Sequence, residues 1–107
     1  NERITKAAVN MLTRTAAAEF GADGIRVNAV APGFVDTPMV AYRYRDANGG
    51  VDEGLREALL QSRAAGSPLG RTGTPRDIAL AVLYLASDAA RFVTGQVVRA
   101  NGGVSMP

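Results

Sequence analysis

Small and apolar residues recur at three- and four-residue steps near the beginning of the chain, a spacing that places them on one face of a helix. The density of alanine there also favours helix. Gly21 and Gly24 have the composition of a helix end and a turn. The pattern therefore predicts a helix from Thr5 to about Phe20. The residues on its small and apolar face are Ile4, Ala8, Met11, Leu12, Thr15 and Ala18.

A second strong helix is predicted after Thr74. Thr74 is a good capping residue, Pro75 suits the first helical position, and Asp77 places a negative charge in the first turn. Apolar residues then repeat with helical spacing until the pattern fades near Ser87. Between the two strong helices, a shorter helix is predicted from Leu55 to Ser62.

Two short apolar runs have the character of buried strands. Arg26–Ala31 is bounded by Pro32 and Gly33, and Gln96–Ala100 is followed by a glycine-rich turn. Because helices separate the two strands, the connection is a crossover and the pair is predicted to be parallel. Parallel sheets are normally covered on both faces and contain more than two strands. The chain is therefore predicted to be the edge of a larger α/β sheet, with no internal repeat and no second domain.

The amino-acid composition limits the kinds of binding and catalysis that this chain can perform. The 107 residues allow one small domain, and the net charge of +2, with scattered basic residues, does not favour binding to nucleic acid or to a membrane. The chain contains no cysteine and no histidine, which excludes disulfides, thiolate metal sites, histidine catalysis and the usual zinc sites, and no metal site is expected. There is no apolar run long enough to cross a bilayer and no signal-peptide pattern. A soluble cytoplasmic protein is the expectation.

Several separate blocks of sequence extend over nearly the whole chain in a fixed order. They are Thr5-Lys6-Ala7-Ala8-Val9, Ile25-Arg26-Val27-Asn28, Pro32-Gly33-Phe34-Val35-Asp36-Thr37-Pro38, Pro68-Leu69-Gly70-Arg71, Gly73-Thr74-Pro75-Arg76-Asp77-Ile78-Ala79, Leu85-Ala86-Ser87-Asp88, Thr94-Gly95-Gln96 and Asn101-Gly102-Gly103. In order and spacing they resemble the carboxy-terminal half of the short-chain dehydrogenases/reductases. One block by itself would carry little weight, and it is the agreement of all of them that makes the resemblance specific.

The resemblance implies a fold and an activity. The fold would be α/β, the carboxy-terminal part of a Rossmann-type doubly wound parallel sheet that is incomplete in this chain, with residues 1–107 forming the carboxy-terminal segment of a single dehydrogenase domain. The parent enzyme would be an oxidoreductase that uses NAD or NADP and transfers hydride between the nicotinamide and a small alcohol or carbonyl substrate. The family also implies a homo-oligomer, a dimer or tetramer, in the full-length parent.

Lys6 is the only lysine in the chain and takes the position of the lysine in that family's Tyr-x-x-x-Lys pair. The resemblance implies that it is catalytic: it would bind the nicotinamide ribose hydroxyls and lower the pKa of the tyrosine, as a cation does beside a phenol. The other interpretation is a solvated helix residue. Where the family has tyrosine, this chain has Glu2, which either replaces that tyrosine or belongs to a junction, a truncation or a divergent amino terminus. Glutamate beside lysine should be ionised and unable to donate a proton, so an ion pair worth about 0.2–0.5 kcal/mol is expected between Glu2 and Lys6.

The stretch from Pro32 to Thr37 is the second candidate site. In the family this loop follows a strand and covers the nicotinamide side of the cofactor, in agreement with the rule that ligands bind at the carboxyl ends of parallel strands. The resemblance implies that Pro32, Gly33, Val35 and Thr37 contact the cofactor, with the Val35 backbone at the carboxamide and the Thr37 hydroxyl at the carboxamide or pyrophosphate. The other interpretation is that Pro32 and Gly33 merely end a strand.

The segment Met39–Gly66 corresponds to the variable lid over the substrate, and its composition favours a mobile loop. Tyr42 and Tyr44 are assigned to surface packing, with a pocket-lining role as the alternative. The segment 66–75 is predicted to be a loop, and Arg71 and Asp77 are expected to be structural, as a loop anchor and a helix first-turn charge.

The family's glycine-rich phosphate turn and catalytic serine are expected upstream of residue 1, since no such glycine-rich turn occurs after a strand here. By itself the chain is therefore expected to be inactive and to bind cofactor weakly or not at all. Two interpretations remain open. The chain is either a fragment of a working oxidoreductase or a non-catalytic assembly module derived from that fold, which lacks cofactor binding.

Overall fold

The computed structural model describes residues 2–106, with the backbone alone at residue 2. The chain divides into two compact units. The first joins the part up to Ala31 with Ala79–Val98, and the second joins Pro32–Ile78 with the part from Arg99 onward. Each unit is described by itself below. That all 107 residues form one dehydrogenase domain stays a prediction.

In the first unit, helix α1 (Glu2–Phe20) ends where the sequence predicts, but it begins three residues before the predicted start. Gly24 follows it with a φ of 74°, a left-handed conformation that glycine adopts without a steric penalty. The buried side of α1 contains Thr13 and Ala17. The Thr13 hydroxyl donates a hydrogen bond to the Val9 carbonyl at 2.8 Å, so this buried polar group is satisfied within its own helix.

The two strands, β1 (Ala29–Pro32) and β2 (Val97–Ala100), pair in a two-stranded parallel sheet. The Ala29 amide donates to the Gln96 carbonyl at 2.9 Å, and the Gly33 amide to the Ala100 carbonyl at 3.0 Å. The parallel pairing is as predicted, and β2 begins one residue later than expected.

The predicted start of β1 at Arg26 is wrong by three residues, because the side chains before Ala29 take over the hydrogen bonding. The Arg26 guanidinium donates to the carbonyls of Leu85 and Ser87, at 2.7 and 3.3 Å. The Asn28 side chain accepts from the Gln96 amide at 3.1 Å and donates to a second backbone carbonyl. Side chains therefore supply most of the hydrogen bonds of this stretch, beside one backbone bond from the Gly95 amide to the Val27 carbonyl at 2.7 Å.

The second unit contains more regular structure than the predicted flexible lid. A 3₁₀ helix spans Pro38–Tyr44, and helix α2 (Glu53–Ala65) is longer at both ends than the predicted Leu55–Ser62. The Asp52 carboxylate accepts a hydrogen bond from the Leu55 amide at 3.0 Å and caps α2. This cap fixes the earlier start, since it satisfies an amide that the first turn leaves without a partner.

Helix α3 (Pro75–Ala86) begins as predicted. The Thr74 hydroxyl accepts from the Asp77 amide at 3.2 Å, and the Asp77 carboxylate accepts from the Thr74 amide at 2.9 Å, a reciprocal capping arrangement. Arg71 donates to the same carboxylate at 2.9 Å, which confirms the structural roles predicted for Arg71 and Asp77. The hydrogen bonds from Arg71 and then from Thr74 hold the pKa of Asp77 far below its usual range.

Helices α1 and α3 both carry large apolar side chains that are exposed in this chain. On α1 and α3 these are Ile4, Val9, Met11, Leu12, Leu80, Val82, Leu83 and Tyr84. Exposed apolar faces of this kind are typical of surfaces that other protein elements cover. Among the described residues, no helix combines the length and apolar character required to cross a membrane.

Candidate functional site

The loop Pro32–Thr37 starts where β1 ends, and its first residues lie against the end of β2. A Cβ added to Gly33 would lie 2.7 Å from the Asn101 Cα and 2.8 Å from the Asn101 Cβ. Two backbones therefore approach more closely at Gly33 than any residue with a side chain allows. The predicted position of this loop at the carboxyl end of a parallel strand is confirmed.

Backbone contacts hold the rest of the loop, and the Thr37 hydroxyl has no hydrogen-bond partner within the described residues. The Gly73 amide donates to the Phe34 carbonyl at 3.0 Å, and Val35 forms an isolated parallel bridge with Gly73. Thr37 is extended, with φ −134° and ψ 164°, and precedes the 3₁₀ helix without capping it through its side chain. Within the described residues the Thr37 hydroxyl makes no hydrogen bond, so it can donate to or accept from a ligand.

Asp36, between Val35 and Thr37, accepts hydrogen bonds on both carboxylate oxygens. Tyr44 Oη donates to Oδ1 at 2.6 Å, and Arg56 donates to Oδ2 through Nε at 3.1 Å and Nη2 at 2.5 Å. We call these three residues the Asp36 cluster. The sequence interpretation missed it, because the partners of Asp36 lie 8 and 20 residues away and no local pattern identifies them.

The assignment of Tyr44 to surface packing is wrong, whereas Tyr42 fits it. Tyr44 is only 5% exposed, and its hydroxyl donates a hydrogen bond to Asp36, whereas Tyr42 is 65% exposed. The two tyrosines stand two residues apart on a 3₁₀ helix, which has three residues per turn and turns their side chains in different directions.

The hydrogen bonds of the Asp36 cluster shift the pKa values of its members in opposite directions. The bond from Tyr44, and next the bond and charge of Arg56, lower the pKa of Asp36 below its ordinary 3.8. The bond to Asp36 raises the pKa of Tyr44 above its ordinary 10.0. A lowered carboxyl pKa adds stability above about pH 4 and loses it as the pH falls further, whereas a raised phenol pKa adds stability below about pH 10. The cluster is therefore expected to be intact between these limits.

Replacing Tyr44 by phenylalanine is expected to raise the pKa of Asp36 toward its ordinary value, because the hydrogen bond from Tyr44 is the largest cause of its depression. The measurement is a titration of the Asp36 side-chain carboxyl carbon by NMR, in the variant and in the unchanged chain. Tyr42→Phe is the matched control, since Tyr42 is an exposed neighbour without a bond to Asp36. Equal titration curves for Tyr44→Phe and the unchanged chain would contradict the assignment.

Lys6 lies on α1 in the first unit, and its side chain is exposed. Pro32, Gly33, Val35 and Thr37 belong to the second unit. The expected ion pair between Glu2 and Lys6 involves the Glu2 side chain, which lies outside the described residues. That Lys6 and the loop bind one cofactor stays a prediction.

A cavity of about 570 Å³ lies within the second unit, on a different set of residues from the predicted cofactor contacts. It has apolar walls, and its basic residues include Arg63, whose guanidinium stands 5.2 Å from the centre of the Phe34 ring. Phe34 is the only member of the Pro32–Thr37 loop in its wall. The cavity therefore contributes nothing to the assignment of Pro32, Gly33, Val35 and Thr37.

Two features of the loop could serve in binding a carboxamide. Its backbone is held by hydrogen bonds at Gly33 and Phe34, and it presents an unused hydroxyl at Thr37. A carboxamide has both a donor and an acceptor, and a hydroxyl can pair with either. No group of three or more acidic side chains that could hold a metal ion occurs among residues 3–106.

Comparison with known proteins gives a consistent result over nearly the whole chain. A family model described as enoyl-(acyl carrier protein) reductase matches residues 3–105. The chain is 46% identical to a cis-4-hydroxycyclohexanecarboxylate dehydrogenase of Sinomonas cyclohexanicum over 92% of its length, which is 34% of that protein. It is 41% identical to the 3-oxoacyl-[acyl-carrier-protein] reductase of Thermotoga maritima over 97% of its length, which is 37% of that reductase.

Comparison with solved structures gives the same result as comparison with sequences. A short-chain dehydrogenase/reductase from Brucella melitensis, described as a glucose/ribitol dehydrogenase, superposes with a TM-score of 0.77 at 35% identity and covers 97% of this chain. The chain covers 37% of that structure and thus spans about a third of the length of the relatives it matches. The Rossmann-type α/β class expected from the sequence is confirmed. The match from residue 3 to residue 105 and the agreement of fold lead to one conclusion: the chain belongs to the short-chain dehydrogenase/reductase family.

Proposed function

We propose that residues 1–107 form the nicotinamide-holding part of an oxidoreductase that uses NAD or NADP and acts on a small alcohol or carbonyl compound. The proposal is supported by membership of a family whose matched relatives carry the names of dehydrogenases and reductases. When bound, the nicotinamide would accept or supply the hydride. The residues of this chain would bind and orient it.

The observation that carries the proposal is the Thr37 hydroxyl in the loop that starts at the carboxyl end of β1. The Thr37 backbone is extended, its side chain does not cap the following helix, and its hydroxyl has no hydrogen-bond partner within the described residues. Ligands of doubly wound sheets bind at this end of the strands. Thr37 would bond the carboxamide or pyrophosphate, while Pro32, Gly33 and the Val35 backbone would frame the ring.

Lys6 would act on the ribose side. Its ammonium group can donate to the ribose hydroxyls, and its charge favours the deprotonated form of a neighbouring acid. Lys6 would be a catalytic residue, because it would touch the cofactor.

We also propose assembly into a homo-oligomer and a cytoplasmic location. The family supports assembly, and the apolar faces of α1 and α3 are surfaces that a second copy of the chain would remove from water, as would the remaining length of a protein as long as its relatives. Size-exclusion chromatography with light scattering tests this part by measuring the mass in solution.

Thr37→Val is expected to weaken NAD(P)H binding by about two- to tenfold, the effect of losing one hydrogen bond of about 0.5–1.5 kcal/mol. Valine keeps the shape and removes the hydroxyl. The measurement uses a chimera in which this chain replaces the matching 37% of the Thermotoga maritima reductase, so that the other parts of that protein are present. The dissociation constant is obtained from the fluorescence of the nicotinamide.

Thr37→Ser is the matched control, since serine keeps the hydroxyl and should bind like the unchanged chimera. Equal binding by Thr37→Val and Thr37→Ser would remove Thr37 from the site. A folded chimera that binds no NAD(P)H would refute the proposal and favour a non-catalytic assembly module.

A further inference from the structure

We propose that Asp36 is a positioning residue that fixes the cofactor loop to the segment behind it and so sets the orientation of Thr37. This inference rests on the proposed function and extends it to a residue with no contact to cofactor or substrate. Asp36 would act through its two neighbours in the chain, Val35 and Thr37.

The first argument is that several hydrogen bonds, from two directions, hold the Asp36 carboxylate. Both oxygens of one carboxylate are used: Oδ1 by Tyr44 at 2.6 Å, and Oδ2 by two nitrogens of Arg56. The fork of an arginine side chain, bound through two nitrogens, restricts the carboxylate in direction as well as in distance. A side chain held at both oxygens leaves its own backbone little freedom of rotation.

The second argument is the origin of the two donors. Tyr44 is the last residue of the 3₁₀ helix that follows Thr37, and Arg56 belongs to the first turn of α2. Two separate elements of the segment 38–65 therefore meet at one loop residue. The 3₁₀ helix is itself connected to Thr37, because the Val40 amide donates to the Thr37 carbonyl at 3.0 Å.

The third argument is burial. The Asp36 side chain is 19% exposed, and Tyr44 is almost fully buried, so water has little access to the bond between them. Hydrogen bonds to a charged group that is shielded from water are stronger than those at an open surface. The arrangement differs in this from Asp46 in the same segment, which is exposed and bonds only to backbone amides of its own turn.

The Asp36 cluster connects the Pro32–Thr37 loop with the lid segment 38–65, because its members lie far apart in the sequence. Asp36 is 8 residues from Tyr44 and 20 residues from Arg56. Movement of α2 away from the loop would break the Arg56 bonds, and movement of the 3₁₀ helix would break the Tyr44 bond. The lid segment is therefore coupled to Thr37 through the Asp36 carboxylate, in addition to the bond from the Val40 amide to the Thr37 carbonyl.

The test compares Asp36→Asn with Asp52→Asn in the full chain, by NMR and without cofactor. Asparagine keeps the size of aspartate but removes the charge that Arg56 requires. In Asp36→Asn we expect a changed amide-to-Hα coupling at Thr37 and about tenfold faster hydrogen exchange at the Val40 amide, with unchanged exchange in α1. Asp52→Asn removes the same charge from the same unit and should change neither, because asparagine also caps helices well.

Unchanged coupling and exchange in Asp36→Asn would overturn the positioning role, whatever the cofactor does. A second measurement in the chimera links the cluster to the site: Asp36→Asn should weaken NAD(P)H binding about tenfold, because a smaller fraction of molecules holds Thr37 in place. A loosened loop with unchanged affinity would overturn the link to the cofactor. Failure of the unchanged chimera to bind would count against the proposed function alone.

Discussion

Gly33→Ala is expected to be strongly destabilising, by about 1–3 kcal/mol, with or without a cofactor. The added Cβ would meet the Cα of Asn101 at 2.7 Å, and it would be attached directly to backbone that is held by the bond from the Gly33 amide to the Ala100 carbonyl. No rotation of a side chain can relieve that contact, so the strand ends must separate. Urea unfolding followed by circular dichroism measures the change.

Two other glycines provide a matched series for that experiment. Gly73→Ala would bring a Cβ within 3.3 Å of Val35 Cγ2, a side-chain atom that can move, so a smaller loss is expected. Gly21→Ala meets no atom within 4 Å and should leave the stability unchanged or slightly increased. If Gly33→Ala were as stable as Gly21→Ala, the close approach of the two strand ends would be contradicted.

Glu2→Tyr is expected to raise the turnover number of the chimera about 10²- to 10⁴-fold, the usual contribution of a general acid. The reason comes from the sequence: a glutamate four residues before a lysine is ionised near neutral pH and has no proton to donate. A tyrosine there carries a proton at pH 7, and Lys6 would stabilise its phenolate. The measurement is the oxidation of NAD(P)H in the presence of a ketone substrate.

Glu2→Phe is the control that separates chemistry from shape, because it supplies the ring without the hydroxyl. It should remain as slow as the chimera with Glu2. A Glu2→Tyr chimera no faster than Glu2→Phe would show that Lys6 does not assist an acid at that position, and Lys6 would lose its catalytic assignment.

The regular elements could be predicted from the sequence where the signals are local. Thr74, Pro75 and Asp77 identify the start of α3 because all capping contacts lie within four residues. The start of β1 could not be predicted in the same way. Arg26 and Asn28 alternate with apolar residues as in a strand, but their side chains bond to carbonyls 59 and 65 residues away. Periodicity does not report such distant contacts.

The candidate site, like the regular elements, could be predicted only in part from the sequence. Lys6 and the Pro32–Thr37 loop were identified by resemblance to a family, and the position of the loop at the end of β1 is confirmed by the structure. The Asp36 cluster was not identified, since neither spacing nor composition distinguishes Tyr44 from the exposed Tyr42. Only the folded chain brings Tyr44 and Arg56 to the same carboxylate.

The division of the first unit into two separated stretches has a consequence for synthesis on the ribosome. Arg26 leaves the ribosome 59 residues ahead of Leu85, whose carbonyl it will bind. At about 5–20 residues per second, this corresponds to a delay of about 3–12 seconds. During that time the Arg26 guanidinium lacks the Leu85 carbonyl, so the first unit cannot be completed until its second stretch, Ala79–Val98, has emerged.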